Sequence, residues 1–190
     1  MNVAAVILAA GDSSRLGRPK QLIRVEGMSL LRRAAVIACA SHAAEVIALL
    51  GHDPTAMRRE LDGLRVRVLE NPEWHEGISS SIRAAVRGLP PASDGVLFLT
   101  CDQPRLTGEH LDALMGAFAR SPGSPVASGY GGTAGVPALF PRALFGELLL
   151  LDGDRGAQRV ALAHERELVV IPWPDGSFDV DTAPDLSAHL

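Results

Sequence analysis

Lysine is nearly missing from this chain. Of 18 basic residues, 17 are Arg and one, Lys20, is Lys. Basic charge as a whole is also in deficit, with a formal net charge of −4, which argues against the clustered basic surface that nucleic acid requires. Aromatic residues make up only 4% of the chain, so its core has to be built from Ala, Val, Leu and Ile. Cysteine occurs twice, at Cys39 and Cys101, far apart and without a C-x-x-C pair. That excludes a disulfide framework and favours a reducing cytoplasm. No apolar run approaches the roughly 18–20 residues needed to cross a bilayer. The apolar start, Met1 to Ala10, lacks a basic leader and runs straight into a glycine loop, so it reads as a buried strand rather than a signal segment.

What is present is a regular alternation of strand-like and helix-like segments, read as one domain over residues 1–190. Strands are expected at 3–8, 45–50, 65–69 and 95–100, then at 126–130, 136–140, 167–171 and 178–180. Helices are expected at 29–41, 54–61, 79–87, 107–120, 142–151 and 156–166, with a last one near 184–189. Thr107 reads as an N-cap, and Pro54 stands in a first turn where its missing N–H does no harm. Alternating strands and helices predict a mostly parallel sheet with helices on both faces. In such sheets ligands bind beyond the carboxyl ends of the strands, so the loops that follow the strands are where chemistry is expected.

After the first strand come Ala9-Ala10-Gly11-Asp12-Ser13-Ser14-Arg15 and Gly17-Arg18-Pro19-Lys20. Small residues let backbone N–H groups approach an anion, and Arg15 and Lys20 bring cations to the same space. The spacing matches neither a P-loop nor a dinucleotide fingerprint. Lys20 stands out because a compact ammonium against a phosphate is not freely exchanged for Arg. After the apolar strand ending at Thr100 comes Asp102-Gln103-Pro104. Its carboxylate either holds Mg²⁺ beside a polyphosphate or ends a turn before the proline. Asp179-Val180-Asp181 offers a second acidic pair, with both carboxylates on one side if the segment is a strand.

Three serines, Ser79 to Ser81, can cap a helix and also offer hydroxyls or N–H groups to a ligand. Trp74 and His75 share no metal-ligand spacing with other His or Cys residues and read as loop packing. The stretch Gly129 to Gly135 reads as a flexible lip over an acceptor substrate. Gly153-Asp154-Arg155-Gly156 can present N–H groups and Arg155 to an anion before a helix.

Taken in order, these motifs resemble a known family. Leu8-Ala9-Ala10-Gly11 through Arg15-x-Gly17-x-Pro19-Lys20 is similar to the opening signature of nucleotidyltransferases. The set Asn71-Pro-x-Trp74-x-x-Gly77-x-Ser-Ser-Ser81, Asp102-Gln-Pro104, Gly135-x-Pro137, Gly153-Asp-x-Gly-Ala157 and Asp179-x-Asp181-Thr182 resembles the molybdenum cofactor cytidylyltransferase branch. Two positions depart from the pattern. Val136 stands where relatives carry His or Asn, and Gln158 where they often carry Arg.

The resemblance implies a Rossmann-like nucleotidyltransferase three-layer α/β sandwich, mostly parallel, with a small antiparallel addition around 129–140. It implies nucleotide contacts at Leu8, Ala9, Ala10, Gly11, Gly77, Ser80 and Ser81, with Arg15 and Lys20 on the triphosphate. Asp102 and Asp181 would hold Mg²⁺, while Gly135, Pro137, Asp154 and Arg155 would face the acceptor. Lys20, Arg15 and Asp102 would then be the catalytic set. The implied reaction moves CMP from CTP onto molybdopterin and releases pyrophosphate. Transfer from GTP or to another phosphorylated acceptor, NAD(P)H-dependent oxidoreduction, and cofactor delivery to a molybdoenzyme client are the alternatives. No nucleic-acid or membrane partner is expected.

Overall fold

The computed structural model describes residues 1–12 and 19–180. Arg15, Gly17, Asp181 and the helix expected near 184–189 lie outside the described residues. Strand β1 (Val3–Ala9) is buried along its whole length. Its even residues Ala4, Val6 and Leu8 pack into one apolar layer, and its odd residues Val3, Ala5, Ile7 and Ala9 into the other. A strand covered on both faces must be apolar at every position, as this one is.

Around β1 a seven-stranded sheet runs in the order β5-β4-β1-β6-β8-β7-β9. Its further strands are β4 (Glu45–Leu50), β5 (Arg67–Glu70) and β6 (Gly95–Thr100), then β7 (Val126–Tyr130), β8 (Thr133–Pro141) and β9 (Val169–Pro172). Pairs β1–β4, β1–β6, β4–β5 and β7–β9 are parallel, whereas β8 is antiparallel to both β6 and β7. The antiparallel part is therefore a single reversed strand within the main sheet. Helices α1 (Leu30–Ala40), α2 (Pro54–Glu60) and α4 (Gly108–Arg120) contribute to one layer. Helices α3 (Ile78–Arg87), α5 (Phe145–Leu149) and α6 (Gln158–Ala163) contribute to the other. Phe98 and Phe140 are fully buried in the second layer, with ring centroids 6.0 Å apart. Each buried side chain of that size contributes about 2–3 kcal/mol.

Local sequence sets the helix starts. Ser29 caps α1 by accepting from Arg32 N at 3.2 Å, and Thr107 caps α4 by accepting from His110 N at 3.3 Å. Four expectations are corrected. Residues 178–180 form no strand: Val180 is buried and its N–H goes to Asp102 O at 2.9 Å, so the segment crosses a strand end instead of joining an edge. The expected helix over 142–151 divides into a 3₁₀ turn, Arg142–Leu144, and the short α5. The stretch 129–135 is an ordered ribbon rather than a lip of loop. Only Gly131 (φ 57°) and Gly132 (φ 77°) form its turn, in the left-handed region that two-residue hairpins require. A short hairpin, β2 (Arg24–Val25) with β3 (Met28–Ser29), turns on Glu26 and Gly27 where no element was expected.

Candidate active site

The parallel strands deliver their loops to one edge of the sheet. Beyond β1, the buried Gln21 ties the chain down. Its Nε2 donates to Ala9 O at 3.1 Å and to Gly11 O at 2.7 Å. Lys20 opens the 3₁₀ turn just before it. Its ammonium pairs with the carboxylate of Asp102, 82 residues away beyond β6. The two side chains are 24% and 15% exposed, so both charges sit in a partly dry environment. The two strand-end loops singled out in the sequence thus meet at one ion pair.

The Val180 N–H that reaches Asp102 O brings residues 178–180 alongside this pair. Burial is the main cause that raises the Tyr130 phenol above its ordinary value, and the negative charges of Asp179 and Asp102 add to it. The neighbouring Cys101 thiol is pushed up to about 12 by burial, so it carries no thiolate at neutral pH. A hard oxygen donor at Asp102 fits a divalent cation. Among the described residues no three His, Cys, Asp or Glu groups cluster as a metal site, and the second expected ligand, Asp181, lies outside them.

Over β1, on the side toward β4, opens a cleft of about 480 Å³. Its floor is Leu8, Ala10 and Gly11, and one wall is Trp74 and His75. Trp74 packs edge-on against His52, with centroids 5.1 Å apart, and His52 N donates to Ala10 O at 3.0 Å. Trp74 and His75 are thus part of the cleft wall; the signal that could have found them is their place directly after a parallel strand.

The opposite wall begins α3. Asn71, only 2% exposed, donates to Ser80 Oγ at 2.8 Å and Ser81 Oγ at 3.1 Å. Ser80 Oγ donates to Gly77 O at 2.8 Å, and Ser79 Oγ donates to Arg155 O at 2.7 Å. Of the three hydroxyl residues, Ser81 lines the cleft; Ser79 and Ser80 brace the loops around it. Gly77 holds φ 94°, and a methyl group there would lie 2.6 Å from Gly153 O. Asp154 and Arg155, adjacent in sequence, part company here. Asp154 lines the cleft. Arg155 turns outward, pairs with Asp152 at 2.9 Å and lines a separate concavity of about 250 Å³.

On the other side of Asp102, buried side chains fix the start of β8. Gln103 Nε2 lies 3.2 Å from both Val136 O and Gly176 O, and Tyr130 OH donates to Val136 O at 2.8 Å. Gln103 Oε1 is buried without a hydrogen-bond partner. Ser128 Oγ donates its one proton to Pro137 O at 2.7 Å. His110 Nε2, 2.7 Å from Ser128 Oγ, must therefore donate to that hydroxyl, which sets the imidazole tautomer. His110 stacks on Trp173 with centroids 4.6 Å apart, and burial lowers its pKa to about 4. Both carbonyls around the cis Val136–Pro137 peptide are thus held. Gly135 lies against the Tyr130 ring, where a methyl group would meet Cζ at 2.8 Å. Gln158 reaches Ala134 O at 2.6 Å, so this departure from the family pattern serves to fasten α6 to β8.

The MobA-like NTP transferase domain family matches residues 5–168. A bifunctional IPC transferase and DIPP synthase of Rubrobacter xylanophilus is 40% identical over 94 residues, which cover 46% of this chain and only 22% of that protein. A probable molybdenum cofactor guanylyltransferase of Trichormus variabilis is 29% identical over 98% of this chain and 89% of its own length. Among solved structures, Rv0371c of Mycobacterium tuberculosis superposes with a TM-score of 0.83 at 29% identity, covering all of this chain and 97% of its own. The same protein has been solved in complex with manganese, with a TM-score of 0.79 and 27% identity over 100% of this chain and 98% of that one.

Proposed function

Because the chain belongs to the MobA-like NTP transferase domain family, we propose that it moves the nucleoside-monophosphate part of a nucleoside triphosphate onto a phosphorylated acceptor. Pyrophosphate is the leaving group. The motif set favours CTP as donor, molybdopterin as acceptor and Mg²⁺ as metal; the guanylyltransferase relative keeps GTP as the second candidate donor.

The observation that carries the reading is the meeting of Lys20 and Asp102 at the ends of β1 and β6. Phosphoryl-type transfer asks a protein mainly for positioning and charge neutralisation. An acceptor phosphate is already anionic at neutral pH and needs no strong base. Its oxygen forms a bond to the α-phosphorus while the bond to the pyrophosphate oxygen breaks. Lys20 exchanges its carboxylate partner for phosphate oxygens and stabilises the charge that builds on the leaving group, with Arg15 as its expected companion. Asp102, with Asp181 as expected second ligand, would hold a divalent cation, which would supply neutralisation of polyphosphate charge. The sheet order supports a division of labour: nucleoside over β4 and β1, phosphates between β1 and β6, acceptor beside β8.

Lys20→Ala is expected to lower kcat/KM for pyrophosphate release from CTP by roughly 10²-fold or more. Unchanged turnover would remove Lys20 from the mechanism. An amine reagent offers a second readout, because only Lys20 and the N-terminus carry amines, and bound nucleotide is expected to protect Lys20.

A further inference from the structure

The 480 Å³ cleft differs chemically from the ion pair beside it. Among the described residues that line it there is no Lys or Arg. Two carboxylates, Asp12 and Asp154, face it, together with the apolar or aromatic surfaces of Leu8, Trp74 and Ile78. Carboxylates repel phosphate, so this half of the site suits a flat, uncharged ring with hydrogen-bond donors on its edge. The cation that suits phosphates is at the other end, at Lys20.

Asp154 is held in place by its neighbours rather than by its own bonds. Gly153 O accepts from Ser79 N at 3.2 Å and Arg155 O from Ser79 Oγ at 2.7 Å, so the residues on both sides of it are fastened to the start of α3. A methyl group on Gly77 would lie 2.5 Å from Asp154 Oδ1, so the carboxylate lies directly over that glycine. The carboxylate itself makes no hydrogen bond or ion pair with a described residue, which leaves both oxygens as acceptors toward the cleft.

We propose that Asp154 is the residue that reads the nucleobase, accepting hydrogen bonds from an exocyclic amino group on its edge. This rests on the nucleotide reading of the site given above. Cytosine presents one amino group, and guanine presents an amino group next to a ring N–H, a pair that matches the two oxygens of a carboxylate. Uracil presents two carbonyl oxygens flanking a single N–H, and those oxygens face the carboxylate unfavourably. Asp154 thus belongs to donor selection, not to the acceptor side.

The test is a set of affinities for CTP, UTP, GTP and inosine triphosphate, which is GTP without its amino group. They are measured by calorimetry with Mg²⁺ on the wild-type protein and on Asp154→Ala and Asp154→Asn. One good base contact discriminates by about 1–3 kcal/mol, so the wild type is expected to favour CTP over UTP, and GTP over inosine triphosphate, by roughly 10- to 100-fold. Asp154→Ala is expected to bring both ratios close to one. Asp154→Asn, whose amide can donate to a carbonyl, is expected to improve UTP binding. Melting curves without nucleotide establish that the variants fold; Asp154 is exposed, and no loss is expected. If nucleotides bind and both ratios survive in both variants, the assignment of Asp154 is overturned while the nucleotide reading stands. If the wild type binds none of the four, the nucleotide reading falls and this assignment with it.

Discussion

Asp102→Asn removes one formal charge from the Lys20–Asp102 pair and leaves the side-chain shape almost unchanged. Fully exposed ion pairs contribute up to about 1 kcal/mol, whereas removing one partner of a buried pair costs about 3–5 kcal/mol. With 24% and 15% of the two side chains exposed, this pair falls between those limits, and we take about 2 kcal/mol as the loss. For a chain of this size that lowers Tm by about 4–8 °C. Urea and thermal unfolding without nucleotide would measure it, in parallel with Lys20→Met and the double variant. If the two groups interact as the structure has them, the double variant loses less than the sum of the singles, by about 1 kcal/mol or more. Additive losses, or a loss below about 0.5 kcal/mol for Asp102→Asn, would refute the argument. Turnover of Asp102→Asn is expected to fall by roughly 10²-fold or more under the proposed chemistry, well beyond the effect of the lost stability at a temperature where the variant is folded.

Two further outcomes are expected. His110 is held neutral in the fold, with a pKa near 4 against an ordinary value of 6.5. The unfolded chain therefore binds the extra proton first as pH falls; the stability due to neutral His110 is complete above pH 6.5 and is lost between 6.5 and about 4. The loss is on the order of 3 kcal/mol, and His110→Gln, compared with the wild type by denaturant titration across that window, should flatten it. Gly77→Ala places a methyl group at φ 94° against Gly153 and Asp154, and is expected to destabilise by about 2–3 kcal/mol and to weaken the thermal shift given by CTP. Gly11→Ala, with nothing within 4 Å of the added carbon, is the control for stability alone and should cost less than about 1 kcal/mol.

Where one physical signal dominates, the sequence was legible. Strand β6 is apolar almost throughout because both its faces are covered, and its ends were recognised to the residue. The ends of β4 and β7 are matched as closely, and Ser29 and Thr107 mark helix starts that their side chains do cap. The pairing of Lys20 with Asp102 was legible only in part: each was singled out, but their contact depends on β1 and β6 lying side by side. Other features have no local signal. Residues 178–180 look like a strand because Val180 is apolar, yet Val180 is buried across a strand end. Asp154 and Arg155 look like one polar motif, but the turn at Gly153 sends them to different concavities. Ser80 looks like a ligand-binding hydroxyl, while its proton goes to Gly77 O.

Among the seven strands only β8 runs against the rest. A parallel strand must leave the sheet edge into a connection that carries on to a packed helix, so lengthening that connection disturbs the layer behind it. The ribbon of β7 and β8 closes on itself at Gly131 and Gly132, and α6 is fastened just behind that turn, where Gln158 donates to Ala134 O at 2.6 Å. The register of β1 with β4 and β6 does not pass through that turn. The reversed strand therefore ends the sheet beside Asp102 in a two-residue turn, where β4 and β6 instead run on toward the helices α2 and α4.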